Sequence, residues 1–400
     1  MIINSDLHVH SPYSMATSKN MLISTIAYQS KLKGLDLIGT GDAFHPEWLK
    51  IIESSTEPSK TGIYSVKESE NGSKVQLLKT VDAPEIEAEK CKFILTAEIE
   101  DKNRVHQLII LPSIESAYEI REELPSKNIN KEGRPRIDMD GAEIMDLVRD
   151  YNGLIGPSHA FTPWTSIYKE FDSIYNCYND TPDFLELGLS ADTNMADRIE
   201  ELQDIPFLSN SDAHSPWPHR LGREFNEIEI KEMTFNAFKD AIKGKKVVGN
   251  YGFDPRLGKY HETGCVRCYQ LFSIEEARKL KMRCPCGGLI KIGVKDRISD
   301  MAKWDEAHHP EFRPQYTHIL PLAEIISIVY GKGITTVFVQ KIWKGLVQEF
   351  GSEIAVLIHV PLEEISKTDS KLAEVIMAFR ENTLKIQPGA GGNYGKIMLD

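Results

Sequence analysis

The chain has 400 residues, 41% of them hydrophobic and 26% charged, and a formal net charge of −12. That length exceeds one ordinary hydrophobic core, so two or three domains are expected. No apolar run is long enough to span a bilayer, and the acidic total by itself argues against a nucleic-acid partner.

The first residues, Met1 to Ser5, lack the basic and apolar segments of a secretory signal, which predicts a cytoplasmic protein with no membrane partner. Leu7 to Val9 reads as a strand end. Met21 to Lys33 has helical apolar spacing and stops at Gly34. Leu35 to Thr40 is a buried strand, and Pro46 starts another helix. Glu53 to Val81 is polar and weakly periodic, which reads as a surface insertion. Phe93–Ile99 and Val105–Leu111 are strands, followed by helices over Ile114–Glu123 and Gly141–Tyr151. Phe184–Leu189 and Phe207–Ser211 are strands again. Repeated β–α units predict an α/β fold with a parallel sheet closed or nearly closed into a barrel, whose chemistry lies at the C-terminal ends of the strands. Lys245 to Thr263, rich in Gly and Lys, reads as a linker. The last region carries apolar helices over Leu322–Tyr330 and Thr336–Phe350, then a Gly-rich tail that lacks the Gly-Lys-Ser/Thr ending of a phosphate-binding loop. There is no internal repeat. These divisions predict a barrel over 1–250, a cysteine module over 251–295 and a helical domain over 296–400.

Imidazoles and carboxylates are clustered in the first half: Asp6-Leu7-His8-Val9-His10, Gly41-Asp42-Ala43-Phe44-His45, Glu98 with His106, His159, and Ser211-Asp212-Ala213-His214. Neutral imidazole and carboxylate together suit Zn, Mn or Fe. His8 and His10, two apart on a strand, share a face, and Asp212 and His214 repeat that spacing. Glu98 can bridge two ions, His106 and His159 complete a second, and Asp42 or His45 with His214 makes a third. A single buried His is more often a hydrogen-bonded core residue, an alternative that competes at His106. Asp42 also reads as a cap before Pro46, and His45 as a surface residue.

Cys265-x2-Cys268, fifteen residues, then Cys284-x-Cys286 resembles a four-cysteine zinc ribbon whose closed coordination makes the ion structural. Cys91 and Cys177 read as buried thiols. Around the ribbon, Lys239 to Arg297 holds fourteen Lys and Arg against six Asp and Glu, a basic segment in an acidic chain that suits phosphate contacts.

The order His-x-His, Asp near a second His, Glu, His, His and finally Asp-x-His resembles the PHP (polymerase and histidinol phosphatase) family. The resemblance implies a distorted (β/α)7 barrel and two or three divalent ions (Zn2+, Mn2+ or Mg2+). It places His8, His10, Glu98 and Asp212 on one ion and Glu98, His106 and His159 on the second. His214 goes with the Asp42/His45 region on a third. Asp212, Glu98 and His159 are then the residues expected to carry catalysis. The chain departs from the family where the usual Thr-Asp-His run reads Gly41 to His45, and where Ser14-Met15 replaces an acidic residue.

Within the family, a barrel joined to four cysteines and a helical C-terminal domain is most similar to DNA repair endonucleases. So are the longer stretches His10–Lys19, Ser158–Trp164 and Ser211–Ser215. The similarity implies cleavage of DNA 5′ to uracil, hypoxanthine, xanthine or an abasic site. Phe44, Phe161, Trp164 and Trp217 are candidate stacking groups for an extruded base. Lys19, His219, Arg220 and Arg223 are candidate phosphate clamps, and a sliding clamp is a candidate partner. The alternative is a PHP-type phosphatase of small molecules. Oligomeric state is not legible.

Overall fold

The computed structural model describes residues 1–68, 77, 78, 80–84 and 91–398. Its centre is a ten-stranded mixed sheet. Its strands are β1 (Ile2–Asp6), β2 (Leu37–Gly39), β3 (Thr56–Lys60), β4 (Ile63–Val66), β5 (Lys92–Glu100), β6 (His106–Leu111) and β7 (Leu154–Pro157). A short separate pair, β8 (Leu185–Glu186) and β9 (Phe207–Leu208), lies outside it. β10 (Phe225–Glu229) and β11 (Val247–Gly252) belong to the main sheet again.

The expected parallel pairing holds for β1–β2, β2–β5 and β8–β9. It fails for β5–β6–β7 and β1–β10–β11, which run antiparallel. For β5–β6 the reason is connection length. A parallel return needs a crossover of about a dozen residues or more, and only a short turn separates Glu100 from His106. Two apolar layers cover the strands. One, including Leu7, Leu37, Ile94, Leu108, Leu154, Leu208 and Ile228, takes side chains from most of the strands in turn. The other packs Ile38, Phe93, Leu95, Ile109 and Ile155 against the helices. Successive side chains of a strand point to opposite faces, so one strand serves both layers.

Helix boundaries follow local chemistry. The helix Ile23–Lys33 ends at Gly34, which takes φ 97° as a left-handed cap. The helix Pro46–Ser55 has proline in its first turn, and His45, not Asp42, is its N-cap, accepting from the Trp48 amide. Ile114–Glu123 and Gly141–Asp150 both begin with capping boxes.

Two readings need correction. The segment expected as a surface insertion contains the hairpin β3–β4, which pairs with β5 and buries Ile63, Tyr64 and Val66. Residues 69–76, 79 and 85–90 of that region and its surroundings lie outside the described residues. The presumed linker Lys245–Thr263 contains β11, paired on one side with β10 and on the other with β14 (Tyr316–His318). Glycines and lysines at its ends masked a strand whose inner residues (Val247, Asn250) are buried.

Four helices, Leu322–Tyr330, Val337–Phe350, Leu362–Thr368 and Ser370–Arg380, build a separate apolar cluster near the chain's end. Leu32 of the first helix packs into it. Lys33 fastens the same contact: its buried ammonium donates to Glu353 at 2.7 Å and to the Pro218 carbonyl at 2.6 Å. Glu353 is further held by the Leu322 amide and the Trp343 indole. Breaking one partner of so buried a pair is costly because it strands the other charge. A small hairpin of Gly264–Cys265 and Ile290–Lys291 carries the four cysteines. Among the described residues no helix is long and apolar enough to cross a membrane.

A candidate metal centre

The predicted donors lie where strands end. His8 and His10 follow β1, Asp42 follows β2, Glu98 is near the end of β5, His159 follows β7 and Asp212 follows β9. His106 opens β6, opposite Glu100. Because β6 is antiparallel, its start lies at the same rim as the end of β5, which brings His106 to the others. Asp42, His159 and Asp212 adopt left-handed backbone, with φ of 49°, 31° and 47°. Non-glycine residues in this region are strained, and such strain concentrates at functional sites. Asp212 and His214 therefore converge through a turn, and not through the strand alternation their spacing suggested.

Three donor groups result, each with ligand atoms within 4.8 Å of one another: His8–His10–Glu98, His10–Asp212–His214 and Glu98–His106–His159. Glu98 and His10 each belong to two groups, so the groups are contiguous. His8 Nε2 is 3.5 Å from Glu98 and 3.7 Å from Asp212. It is buried and has no hydrogen-bond partner. An imidazole nitrogen stranded between two carboxylates is the arrangement a cation would complete. His159 Nε2 stands 3.1 Å from Glu98 and 3.2 Å from His106 Nδ1, again two ring nitrogens and a carboxylate at one point. The donor set therefore fits divalent metal ions.

The second ring nitrogen of each first-pair histidine is engaged by a carboxylate. His8 Nδ1 meets both oxygens of Glu186 at 3.0 Å. His10 Nδ1 meets Asp42 at 3.1 Å. Such carboxylate–histidine pairs fix the ring's tautomer and orientation in metal sites. Asp42 is otherwise saturated: its second oxygen accepts from the Ser11 amide and hydroxyl, both at 2.6 Å, and from Ser14 at 2.8 Å. It orients His10 and stands outside the donor groups. His45 also stands outside them, capping its helix with its ring stacked 4.0 Å from Tyr13. The expected pairing of His214 with Asp42 or His45 is thus replaced by His214 with His10 and Asp212.

The electrostatics follow from burial and mutual contact. Burial alone would depress His8 and His10. Glu186, Glu98 and Asp212 outweigh it at His8 and hold its pKa well above the usual value. Asp42, Asp212 and Glu98 raise His10 to about 9. Against desolvation, Asp212 is held low by His8 and His10, and Glu98 by His106, Arg134 and His8. Arg134 donates to Glu98 at 2.9 Å. Glu186 and Arg134 were not legible as site residues. Glu186 lies in an apolar run and Arg134 in a loop, without motif spacing.

The candidate substrate residues divide. Phe44 is fully buried in the core and offers no stacking face, because the turn that exposes Asp42 tucks it inward. Phe161 is buried on Tyr168. Trp164 is 44% exposed, tilted on Tyr260 with Lys291 above it. Trp217 and His219 are half-buried, and burial pulls His219 down to about 4. Lys19 and Arg220 are exposed. Arg223 donates to the Ser211 carbonyl at 2.9 Å, one residue before Asp212.

The four cysteines also converge. Cys265 and Cys286 sulfurs are 3.5 Å apart, and Cys268 and Cys284 are 3.6 Å apart. These separations exceed a disulfide's ~2.05 Å. They are near the edge of a tetrahedron built on Zn–S bonds of about 2.3 Å. A Cβ on Gly288 would come within 2.6 Å of the Cys265 sulfur, so the turn requires glycine there.

Buried imidazoles and carboxylates grouped at one rim of a mixed sheet, beside a separate thiolate cluster, define an α/β protein with two kinds of metal-type site. Known proteins sharpen this. The chain overlays a lesion-specific endonuclease, PfuEndoQ from Pyrococcus furiosus, with TM-score 0.91 and 47% identity over 100% of this chain and 96% of that one. A solved complex of endonuclease Q with a 27-mer duplex substrate, an abasic lesion at its active site, matches with TM-score 0.89 and 47% identity, over 100% and 97%. The uncharacterized protein YqxK of Bacillus subtilis is 31% identical over 99% of both chains. The uncharacterized protein MJ0043 of Methanocaldococcus jannaschii is 54% identical over 245 residues, 60% of this chain and 31% of that protein, so this chain matches about a third of that relative. The MJ0043 C-terminal domain family matches residues 321–383. The chain belongs to the endonuclease Q family.

Proposed function

We propose that the chain is a metal-dependent endodeoxyribonuclease of DNA repair that hydrolyses the phosphodiester 5′ to a deaminated base (uracil, hypoxanthine or xanthine) or an abasic site. The observation that carries this reading is the full-length likeness to a lesion-specific endonuclease in a chain whose His and carboxylate donors converge as a hydrolytic metal site needs. The side-chain amides of Asn226 and Asn250, which reach Ser209 and Phe207 across the gap beside β9, support reading the sheet as a distorted (β/α)7 barrel.

His8, His10, Glu98 and Asp212 would hold one ion, Glu98, His106 and His159 a second, and His214 with His10 and Asp212 a third. The chemistry such ions would supply is polarisation of a phosphoryl oxygen and a lowered pKa of water. The chain's own residues do the rest. Glu186 and Asp42 keep the His8 and His10 rings turned inward. Arg134 offsets the charge of Glu98 at the rim. Cys265, Cys268, Cys284 and Cys286 hold a structural zinc, so that a basic module over 251–295 lies beside the barrel. Lys259, Arg267, Arg283 and Lys291 of that module bind phosphates. The helices of 296–400 extend the DNA surface.

Labelled duplexes with one uracil, one hypoxanthine, one abasic site or no lesion, incubated with Mg2+ or Mn2+, test the proposal. Incision 5′ to the lesion only, ending in a 3′-hydroxyl, is expected. Equal incision of the unmodified duplex would overturn it.

A further inference from the structure

The metal centre has a closed side and an open side. The side chains of His8, His10 and Glu98 are buried, whereas those of Asp212 and His214 are 31% and 32% exposed. A phosphodiester within a duplex is too large to enter the sheet, so it reaches the donors from the side that Asp212 and His214 form. One more side chain on the donors is open to the same degree: Arg134, 29% exposed, with a terminal nitrogen 2.9 Å from Glu98. Burial lowers the pKa of its guanidinium, but Glu98, Asp212 and Asp42 outweigh burial and raise it. Among the described residues Arg134 is the one arginine or lysine bonded to a donor side chain.

Its loop keeps it there. The Gly133 amide donates to the Tyr13 carbonyl at 3.0 Å, and the Pro135 carbonyl accepts from the Glu100 amide at 2.9 Å. Both chain neighbours of Arg134 are thus fastened to the segments that follow His10 and Glu98. A Cβ on Gly133 would come within 2.3 Å of the Asp42 carboxylate and of the Ser14 hydroxyl, so a side chain at 133 would push the loop off the rim. Arg136 is bridged to Glu100 on the far side. A cation held in place in this way costs no reorganisation when charge develops beside it. The guanidinium is a planar fork of several N–H donors and no acceptor. Its contact with Glu98 uses one terminal nitrogen, which leaves donors for a second anion.

We propose that Arg134 is a catalytic residue: its remaining N–H groups donate to a non-bridging oxygen of the scissile phosphate while Glu98 holds the other edge of the guanidinium. The proposal rests on the lesion-endonuclease reading above. In that reaction a water oxygen bonds to phosphorus as the bond from phosphorus to the 3′ oxygen of the preceding nucleotide breaks. The water loses a proton, the departing 3′ oxygen gains one, and the phosphate stays on the 5′ oxygen of the lesion nucleotide. Arginine keeps its own proton throughout. Its part is to offset the charge that builds on the phosphoryl oxygens. The pairing with Glu98 gives the fork its orientation, so one side chain serves both the donor set and the substrate.

Arg134→Gln and Arg134→Lys separate this role from simple support of Glu98, with thermal melting as the control for folding. Two uracil-containing duplexes are compared, one with the ordinary phosphate at the scissile position and one with a neutral methylphosphonate there. In EDTA, which prevents incision, the ratio of the two affinities should shift by roughly tenfold against the ordinary phosphate in Arg134→Gln. In saturating Mn2+ the same variant should incise the ordinary duplex about a hundred- to a thousandfold more slowly, with an unchanged Mn2+ midpoint. Arg134→Lys keeps the charge and loses the fork, so it should restore the affinity ratio and leave incision slow. An unchanged affinity ratio in Arg134→Gln, or slow incision that extra Mn2+ restores in full, would overturn the assignment. Should Arg134→Gln melt early, Arg134→Lys decides alone: incision as fast as in the unaltered protein would overturn it. If the unaltered protein incises no lesion, the function reading fails instead.

Discussion

The two clusters of metal-type donors in this molecule are built in opposite ways. The cysteine cluster is local: its ligands come from two short turns, and its apolar core is only Cys265, Ala277, Cys284 and Ile290 with two flanking side chains. Little else holds that module together. The histidine–carboxylate centre is assembled across the whole sheet. His8 and Glu186, 178 positions apart, and His10 and Asp212, 202 apart, meet only because the strands between them are paired. A module with so small a core would owe much of its fold to an ion held by the four thiolates. The histidine–carboxylate centre is held by a large core and can spare coordination positions for chemistry.

The sharpest way to break this contrast is to remove a donor from each cluster. Asp212→Asn keeps size and loses the carboxylate charge of the His10–Asp212–His214 group; incision should fall about a thousandfold or more, as expected when several kcal/mol of metal chemistry is lost. Circular dichroism and melting should be unaltered. Cys265→Ser should do the reverse. Elemental analysis should show one zinc fewer per chain, the melting temperature should drop, and DNA binding should weaken before barrel chemistry is touched. If Asp212→Asn unfolds the protein and Cys265→Ser does not, the contrast is wrong.

A smaller effect sharpens it. Glu186→Gln leaves every donor in place and alters the group that orients His8 and accepts from the His159 amide, so metal affinity or incision should fall roughly 10- to 100-fold. Titration with Mn2+ followed by activity would reveal this as a shift in the metal requirement. An unchanged titration would mean that His8 is oriented by packing alone.

The smallest effect concerns the frame that holds the open site. Glu224 is fully buried between the Phe253 amide and the Tyr316 hydroxyl, and desolvation pushes its pKa up to about 8. A carboxyl whose folded pKa lies above its unfolded value binds more protons when folded. Its contribution is thus fully present below about pH 4.5 and is lost as pH rises through about 8. Glu224→Gln should flatten that part of the stability–pH curve, by about 1–3 kcal/mol. Urea unfolding at pH 6 and pH 9 checks it. An identical decline in the variant would assign the loss to another group.

Much of this molecule could be read from residue order. Gly34 ends the first helix, Pro46 opens the second, and Leu322–Tyr330 is helical as its spacing predicted. These are one-turn interactions that no distant contact overrides. That His8, His10, Glu98, His106, His159, Asp212 and His214 would gather was legible from their short-spaced runs near strand ends. What escaped was directional. β6 turns back against β5, and β11 hides between Gly and Lys residues as a strand shared by two neighbours. Asp42 faces His10 and Ser11. Phe44 points into the core.

Residue identity and near-neighbour spacing therefore decided which atoms could bind cations and which stretches would coil. Strand pairing and the packing of the C-terminal helices decided the rest: which imidazole faces which acid, and how Glu186 and Arg134 reach them. The physical reason is range. Capping and periodicity act over a few residues, whereas a ring's orientation or a cavity's wall depends on groups brought together from hundreds of positions away.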